Sequence, residues 1–289
     1  MIIIRLKGGL GNQMFQYALY LQLKALGKDV KIDDVEGFIN DKQRVPVLED
    51  MFGITYDKAD KAEIVEITDA HMDLISRIKR KLFGRHSKEY IENTGSFDPG
   101  VLEMEEAYLN GYFQSDKYFT DEEVIARLRH EFQLVPENVF TSPASWELYR
   151  QITQTESVSI HVRRGDYLEP GVVETFGGIC DTEYYKRAIE KMLSMYPDAE
   201  FFVFTSDKEW CNENVSGERF HMVDTQEENE DAVDLLLMSL CKHHILANSS
   251  YSWWSAWMND DPSKTVLVPE RWLNNKENND IYTERMIRV

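Results

Sequence analysis

The chain has few cysteines, and they share no recognisable role. Three occur among 289 residues, at Cys180, Cys211 and Cys241; they are too few and too scattered for a disulfide framework and lack the spacing of a zinc site. A reducing compartment fits this usage best. The sequence also lacks a long apolar run and a basic leader with a cleavage signal, so we expect a cytoplasmic protein without a transmembrane segment.

Positive charge is also scarce. Lys and Arg number 32 against 51 Asp and Glu, which gives a formal net charge of −19 at pH 7. Because nucleic-acid phosphates attract proteins through clustered Lys and Arg, this composition argues against general nucleic-acid binding. A phosphorylated small molecule stays compatible with it, provided that positive charge is concentrated locally.

One basic cluster departs from the acidic composition. It lies in residues 77–88, and we interpret it either as a solvated helix face followed by a loop or as a peripheral contact with a membrane surface or an anionic acceptor. Its members are Arg77, Lys79, Arg80, Lys81, Arg85, His86 and Lys88.

Strand and helix patterns alternate in both halves of the chain. The first half opens with an apolar strand at 2–7, a glycine-rich turn at 8–12 and a helix at 13–26 that Gly27 closes. The second half repeats the alternation from an apolar strand at 157–160 onward, with helices predicted at 182–195 and from Trp253 onward. This order predicts two facing α/β domains with parallel sheets, at residues 1–150 and 151–289.

The first strand, turn and helix suggest a dinucleotide site. Gly9 and Gly11 match two glycines of that fingerprint, and Asp33 or Asp34 would be the acid that binds the ribose. Met14, however, stands where the third glycine belongs. An NAD-dependent oxidoreductase and a simple tight turn therefore both stay open.

The stretch His161-Val162-Arg163-Arg164-Gly165-Asp166-Tyr167 follows a predicted buried strand. Two adjacent arginines are poor core residues, and ligands of open α/β sheets bind outside the carboxyl ends of the strands. A guanidinium group holds phosphate oxygens through two parallel hydrogen bonds. We therefore predict a phosphorylated ligand at this strand end.

Two further strand ends carry polar residues. Ser206 and Asp207 follow one strand, and Ser249 and Ser250 stand between another strand and a helix start, where they serve either as a helix cap or as an anion site. Asp234 lies on an apolar helix, where it either binds hydrogen-bond donors of a ligand or faces solvent.

Other side chains have competing interpretations. Metal ligation by His243 and His244 is disfavoured, because adjacent side chains point apart. The indole rings of Trp253, Trp254 and Trp257 either stack on a sugar or base or pack in the core.

Several catalytic motifs are missing. The sequence has no Ser/His/Asp elbow, no phosphate-binding P-loop and no Asp-x-Asp metal motif. A nucleoside diphosphate leaving group needs its charge neutralised either by Mg²⁺ or by arginines and helix N-termini. The sequence indicates the second solution, with no metal.

Four segments together resemble the α-1,2-fucosyltransferases of glycosyltransferase family 11. They are Gly8-Gly9-Leu10-Gly11-Asn12-Gln13-Met14-Phe15-Gln16-Tyr17-Ala18, His161 to Tyr167, Phe204-Thr205-Ser206-Asp207 and Asn248-Ser249-Ser250-Tyr251-Ser252-Trp253-Trp254. The resemblance implies a GT-B-like architecture of two Rossmann-like domains. It also implies inverting, metal-independent transfer of fucose from GDP-fucose, without a bound cofactor, to the 2-hydroxyl of a terminal β-galactose in a glycan or polysaccharide repeat unit.

The same resemblance implies roles for individual residues. Donor binding is expected mainly in the second domain and acceptor binding in the first. Arg163 would bind the β-phosphate of the donor and assist its departure, Asp234 would bind the N1–H and 2-amino edge of guanine, and the backbone near His161 would contact guanine. The remaining expected donor-binding residues are Gly9, Gly11, Asn12, Arg164, Ser206, Asp207, Asn248, Ser249, Ser250 and Tyr251.

Three questions stay open at this point. The base that activates the acceptor is not identified, because Gly171 occupies the position of the glutamate in related α-1,6 enzymes. Asp166 is the first candidate, with Glu169 and Glu174 as alternatives, but Asp166 would instead orient Arg163 or Arg164 if it is not the base. Arg164 is either a second phosphate ligand or part of a structural ion pair. A non-catalytic nucleotide-sugar or glycan-binding protein of the same fold is the alternative to an enzyme.

Overall fold

The computed structural model describes residues 1–71, 73, 78, 80–82, 84–93, 95–275 and 279–289. The chain divides into two compact units, Met1–Glu131 and Phe132–Val289. Each unit contains one sheet whose described strand pairs are all parallel. The predicted fold class, two α/β units with parallel sheets, is confirmed. No helix in the described part of the chain is long and apolar enough to cross a membrane.

The first unit has a four-stranded sheet. Its strands are β1 (Ile2–Arg5), β2 (Val30–Asp33), β3 (Glu89–Ile91) and β4 (Ala107–Asn110), in the order β2-β1-β4-β3. Strand β1 begins with Ile2, Ile3 and Ile4, which are inaccessible to solvent. The described helices are α1 (Leu10–Ala25), α2 (Leu48–Phe52), α3 (Lys61–Ile67), α4 (Gly100–Glu103) and α5 (Glu122–Glu131), with a 3₁₀ turn at Asp116–Tyr118.

Helix α1 begins at Leu10, three residues before the predicted start at residue 13. Gly9 is extended at the N-cap, and its carbonyl accepts hydrogen bonds from the N–H groups of Asn12 (3.0 Å) and Gln13 (3.1 Å). Gly11 and Asn12 therefore lie in the first helical turn, not in a loop as predicted. The tight turn is made at Gly8, whose φ of +80° favours glycine.

The second unit has a six-stranded sheet. Its strands are β5 (Glu156–Val162), β6 (Ala199–Thr205), β7 (Phe220–Met222), β8 (His243–Ile245), β9 (Val266–Val268) and β10 (Met286–Arg288), in the order β10-β9-β8-β5-β6-β7. Its helices are α6 (Pro136–Val139), α7 (Pro143–Gln154), α8 (Val173–Phe176), α9 (Thr182–Met195), α10 (Lys208–Asn214), α11 (Glu230–Leu240) and α12 (Ser250–Met258), with a 3₁₀ helix at Gly165–Leu168. Trp253 and Trp254 are completely buried, so core packing is confirmed for both.

The division falls between Glu131 and Phe132, whereas the sequence predicts it between residues 150 and 151, inside α7. Helices α6 and α7 pack against α11, and Phe132 meets Trp254 edge-on at 5.3 Å between ring centroids. Apolar side chains of this segment thus belong to the second core.

The buried carboxylate of Glu227 fastens the same segment. It accepts hydrogen bonds from the N–H groups of Thr141 (2.9 Å) and Ser142 (2.8 Å), from the hydroxyl of Ser145 (2.6 Å) and from the hydroxyl of Thr141. Burial opposes ionisation, but these four hydrogen bonds outweigh it and lower the pKa of Glu227 to about 2.

We expect Glu227→Gln to lower the free energy of unfolding by about 1–3 kcal/mol at pH 7, because a buried charged acceptor is lost. Since the folded-state pKa of Glu227 lies below the usual value, the stabilisation that its carboxylate provides is fully present above about pH 5 and is lost as the pH falls towards 2. The variant lacks this pH dependence. Urea unfolding at several pH values measures both effects. The exposed neighbour supplies the control, Glu228→Gln. Equal losses of unfolding free energy in the two variants would refute the stabilising role of Glu227.

Candidate functional site

The register of the second sheet brings three predicted strand ends together. Val162 at the end of β5 pairs with Thr205 at the end of β6, and Ile160 of β5 pairs with Ile245 at the end of β8. Because all three strands run parallel, the residues that follow them meet at one edge. This is the edge where open α/β sheets bind ligands.

Arg163 follows β5 and is held on two sides. Its Nη2 donates to Asp166 Oδ2 at 2.9 Å, and its Cζ lies 5.6 Å from the centroid of the Tyr167 ring. Its Nε is buried and has no hydrogen-bond partner in the described ranges. Burial opposes the charge, but the bond to Asp166 and the charge of this carboxylate outweigh burial and raise the pKa of Arg163. The Arg163 guanidinium therefore stays positively charged, and its Nε–H donor is not used by the described part of the protein.

The candidate bases lie in different environments. Asp166 is on the short 3₁₀ helix and uses one oxygen for the ion pair with Arg163. Glu169 follows that helix, and Glu174 lies on α8; both side chains are exposed. The ion pair makes Asp166 a neighbour of the cation, which is the orienting alternative left open by the sequence.

Arg164 points to a different partner. Its Nε donates to Asp207 Oδ2 at 2.9 Å, and its Cζ lies 4.4 Å from the centroid of the Trp210 ring. Asp207 also caps α10, since its Oδ1 accepts from the Trp210 N–H at 3.1 Å. The structural ion pair is thus present, and both oxygens of Asp207 bind the protein itself. Ser206 lies beside Gly165 at the same edge.

The turn after β8 leads directly into α12. Ser249 is the extended N-cap residue and makes no side-chain cap, and the helix begins at Ser250, earlier than the predicted start at Trp253. The side chain of Asn248 is committed to the scaffold: its Nδ2 donates to the carbonyls of Phe176 (3.2 Å) and Trp272 (3.1 Å). The turn is therefore rigid, and it presents a helix N-terminus to the edge where Arg163 lies.

A second cluster contains His161, Tyr251 and Asp234. The rings of His161 and Tyr251 lie 5.7 Å apart, and the Tyr251 hydroxyl donates to the Asp231 carbonyl at 2.6 Å. Burial, followed by the charge of Arg163, lowers the pKa of His161 to about 3, so the imidazole is neutral. Its Nδ1 is buried and has no partner within the described residues.

Asp234 adds a carboxylate to this cluster, close enough to Tyr251 for its charge to act on that side chain. In the part of the chain that the structure describes, its side chain receives no hydrogen bond from the protein. Burial is the main reason that its pKa is raised to about 7, and the negative charges of Glu230 and Asp231 add to the shift. A half-buried carboxyl without a donor is costly unless a ligand supplies one.

Gly9, Gly11 and Asn12 lie in the first unit, at the N-terminus of α1. Asn12 Oδ1 accepts from Gln114 Nε2 at 2.6 Å. The sequence interpretation overlooked Gln13 and Gln16, which are completely buried. Gln13 Nε2 donates to the Gly8 carbonyl at 2.9 Å, and Gln16 Oε1 accepts from the Lys7 N–H at 3.0 Å. The glutamines in a largely apolar, buried helix were the available signal for this support of the glycine turn.

The dinucleotide alternative loses its ribose acid. Asp33 is buried, and its Oδ1 accepts from the N–H groups of Val35 and Glu36 at 3.0 Å each, while Oδ2 accepts from the Tyr108 hydroxyl at 2.6 Å. Asp34 forms an ion pair with Lys58 at 2.9 Å. Both carboxylates are thus engaged within the first unit.

The two adjacent histidines are structural. They lie in β8, where His243 Nε2 contacts Glu156 at 2.9 Å and His243 Nδ1 accepts from the Thr265 N–H at 3.0 Å. His244 contacts Ser159 through Nδ1 at 2.9 Å and Asn259 through Nε2 at 3.1 Å. Since all four ring nitrogens have protein partners, the pair does not support metal ligation.

The basic cluster is partly explained by helix α3. Arg80 donates to the carbonyl of Asp69 at 2.7 Å, and Arg85 donates to the carbonyl of Thr68 at 2.7 Å, just beyond the end of that helix. Arg77 and Lys79 lie outside the described residues. Cations at this position complement the helix dipole.

Comparison with known proteins agrees with the motifs. A family model described as glycosyl transferase family 11 matches residues 74–287. An α-1,2-colitosyltransferase of Escherichia coli is 31% identical over 298 residues, covering 100% of this chain and 98% of its own. The O-antigen biosynthesis glycosyltransferase WbnK of Escherichia coli is 30% identical over 291 residues, covering 94% of this chain and 95% of its own.

More distant matches are partial or weak. A galactoside α-(1,2)-fucosyltransferase 2 of Bos taurus is 31% identical over 105 residues, which cover 35% of this chain and 30% of its own. A solved structure of an Arabidopsis thaliana FUT1 mutant with GDP is 14% identical, covers 94% of this chain and 71% of its own, and has a TM-score of 0.43, too low to add to the fold assignment. From the family match and the full-length similarity to the Escherichia coli enzymes, the chain belongs to glycosyltransferase family 11.

Proposed function

We propose that this glycosyltransferase transfers fucose from GDP-fucose to the 2-hydroxyl of a terminal β-galactose in a glycan or polysaccharide repeat unit, with inversion and without a metal ion. The observation that carries the proposal is the single sheet edge where Arg163, the N-terminus of α12 and the strand end at Ser206 lie side by side. The partial match to a mammalian galactoside α-(1,2)-fucosyltransferase supports the choice of sugar and linkage.

Charge explains what Arg163 contributes to the reaction. As the bond between fucose C1 and the phosphate oxygen lengthens, positive charge builds on the sugar and negative charge on the β-phosphate. A fixed guanidinium near that phosphate stabilises the transition state more than the ground state. The ion pair with Asp166 and the contact with Tyr167 keep this guanidinium in place before the donor arrives.

The same groups support a metal-free step. A diphosphate needs positive charge along its length, and here a guanidinium and the positive end of the α12 dipole are available at one edge. Mg²⁺ is the alternative source of that charge. Chelation distinguishes the two.

Guanine is the base that Asp234 would select. Its carboxylate accepts two hydrogen bonds when ionised, and the N1–H and 2-amino groups of guanine are two adjacent donors. The buried Nδ1 of His161 and the ring of Tyr251 border the same region of the second unit. Adenine lacks this pair of donors, so the cluster favours GDP over ADP.

Activation of the acceptor hydroxyl is the less defined half of the mechanism. An inverting displacement places a base opposite the leaving group. The ion pair of Asp166 with Arg163 supports an orienting role, while the exposed Glu169 and Glu174 are accessible as alternatives. A strongly dissociative transition state would need little help from a base.

A second donor is favoured by one observation. The Escherichia coli relative that covers all of this chain is named a colitosyltransferase, so colitose is the competing sugar. A protein that binds the donor without transferring it is the non-catalytic alternative.

The testing experiment is a donor and acceptor screen with purified protein in the presence of EDTA. We expect transfer from GDP-fucose to galactose-terminated acceptors, with a 2-linked α-product by linkage analysis. A preference for GDP-colitose would identify colitose, not fucose, as the transferred sugar. EDTA-sensitive turnover would refute the metal-free step. Tight GDP-fucose binding without transfer or hydrolysis would establish the non-catalytic alternative.

Arg163→Lys should retain less than a tenth of wild-type turnover, and Arg163→Ala less still, with both variants folded. Loss of one oxyanion donor typically costs about 3–4 kcal/mol of barrier, and lysine does not reproduce the bidentate geometry of a guanidinium. Steady-state kinetics and circular dichroism provide the measurements. Arg150, which also pairs with a carboxylate three residues away, supplies the control Arg150→Lys, for which turnover should be unchanged.

Asp166→Asn separates the two roles of this residue. If Asp166 orients Arg163, as we expect, the variant loses both turnover and donor affinity, and the pH-rate profile keeps its acidic limb. If Asp166 is the base, the variant instead loses kcat and the acidic limb of the pH-rate profile, while its donor affinity stays intact. Parallel measurements on Glu169→Gln and Glu174→Gln identify a base located there.

Asp234 should make GDP binding depend on pH. Because the pKa of its carboxyl is about 7, protonation between pH 8 and pH 6 removes the acceptor and weakens GDP binding by about tenfold, and Asp234→Asn should bind GDP weakly at both pH values. Calorimetric titration measures this. A pH-independent affinity in the wild type would contradict the role of Asp234.

Asp234→Asn should weaken GDP binding but increase the stability of the fold at high pH. A raised folded-state pKa stabilises the fold at low pH, and that contribution is lost as the pH rises through about 7. We therefore expect Asp234→Asn to have a higher Tm than the wild type at pH 8 but not at pH 5. The exposed Asp260 provides the control Asp260→Asn, which should show no such difference.

A further inference from the structure

The side chain of Tyr167 contacts both groups that would hold the donor diphosphate. Its hydroxyl donates to the carbonyl of Asn248 at 3.1 Å, immediately before the Ser249 turn that starts α12. The face of its ring lies 5.6 Å from the Cζ atom of Arg163. One side chain therefore connects the ends of β5 and β8.

Tyr167 is itself held firmly. Its ring stacks on Phe176 at 4.9 Å between centroids, with an angle of 27° between the planes. The carbonyl of Phe176 accepts a hydrogen bond from Asn248 Nδ2 at 3.2 Å. The tyrosine, the short helix α8 and the turn thus brace one another, and the ring cannot shift without disturbing the turn.

We propose that Tyr167 is a positioning residue that sets the separation between the Arg163 guanidinium and the N-terminus of α12, and so matches the site to the length of a diphosphate. This inference rests on the proposed function. The two phosphoryl groups of a nucleoside diphosphate are a fixed distance apart, so both cationic elements must be spaced correctly at once. A displacement of about 1 Å is enough to cost up to about 100-fold in rate.

The hydroxyl and the ring of Tyr167 act on different steps. The hydroxyl fixes the turn, which contacts the diphosphate before and during the reaction, so it contributes to binding. The ring orients Arg163, whose interaction strengthens as charge builds on the leaving phosphate, so it contributes to turnover.

Two variants separate these contributions. Tyr167→Phe keeps the ring and should weaken GDP binding about fivefold, the equivalent of one hydrogen bond, with kcat changed by less than about twofold. Tyr167→Leu removes the ring as well and should lower kcat by about a further tenfold. GDP affinity is measured by calorimetry, kcat and donor KM by initial rates, and Tm by calorimetric melting.

Tyr196 offers a matched control in the same unit. Its hydroxyl also makes one hydrogen bond, with the Thr265 hydroxyl at 2.9 Å, and its ring also stacks on a neighbour, His243, at 3.8 Å between centroids. His243 begins β8 and Thr265 directly precedes β9, so both contacts lie at the amino ends of the strands, opposite the edge that carries Arg163. Tyr196→Phe and Tyr196→Leu should lower Tm while leaving GDP affinity and kcat unchanged.

The outcomes distinguish the inference from the proposed function. If the wild type neither binds GDP nor transfers a sugar from a GDP-sugar, the proposed function and the positioning role of Tyr167 are both refuted. If the wild type is active and the Tyr167 variants keep its GDP affinity and kcat, or the Tyr196 variants lose them equally, the positioning role alone is refuted. A split between affinity in Tyr167→Phe and kcat in Tyr167→Leu is the result expected.

Discussion

The ion pair between Arg163 and Asp166 is the interaction on which the site depends. The chain carries a net charge of −19, yet it must keep a cation partly buried at a strand end, where desolvation opposes the charge. Asp166 compensates part of that cost from one side, and the Tyr167 ring supports the guanidinium from the other. Asp166 and Tyr167 both lie on the short 3₁₀ helix that follows Arg163 in sequence. Residues of the same motif therefore hold the guanidinium in place.

The two adjacent arginines follow the end of β5 and bind different partners. Arg164 turns to Asp207 and Trp210 and joins β5 to the start of α10. Arg163 is left at the edge between β5 and β8. The pairing register of β5 with both neighbours then brings the arginine, the Ser249 turn and the Ser206 strand end to the same level. Parallel pairing and three short loops thus bring a guanidinium and a helix N-terminus to one edge of the sheet.

Much of this arrangement was predictable. Helix α9 has the predicted ends, Thr182 and Met195, because Asp181 caps it and Pro197 stops its continuation. Helix starts were less accurate where the cap was unusual: Gly9 and Ser249 cap α1 and α12 without a side-chain hydrogen bond, so both helices begin three residues earlier than predicted. Short strands such as β3 and β10 carry too few residues for a periodic signal.

The alternation of strands and helices was sufficient for the α/β class, and the resemblance of four motifs was sufficient for the family. Arg163, Asp234 and Ser249 could be chosen as candidates because strand ends and polar residues in apolar surroundings are visible in sequence order. The partners of those residues were not visible. The pairing of Arg164 with Asp207, the burial that raises the pKa of Asp234, the complete use of Asp33 by its own unit, and the span from Tyr167 to Asn248 all join residues far apart in the chain. Such contacts exist only once strands have paired in a particular order, which no local pattern encodes.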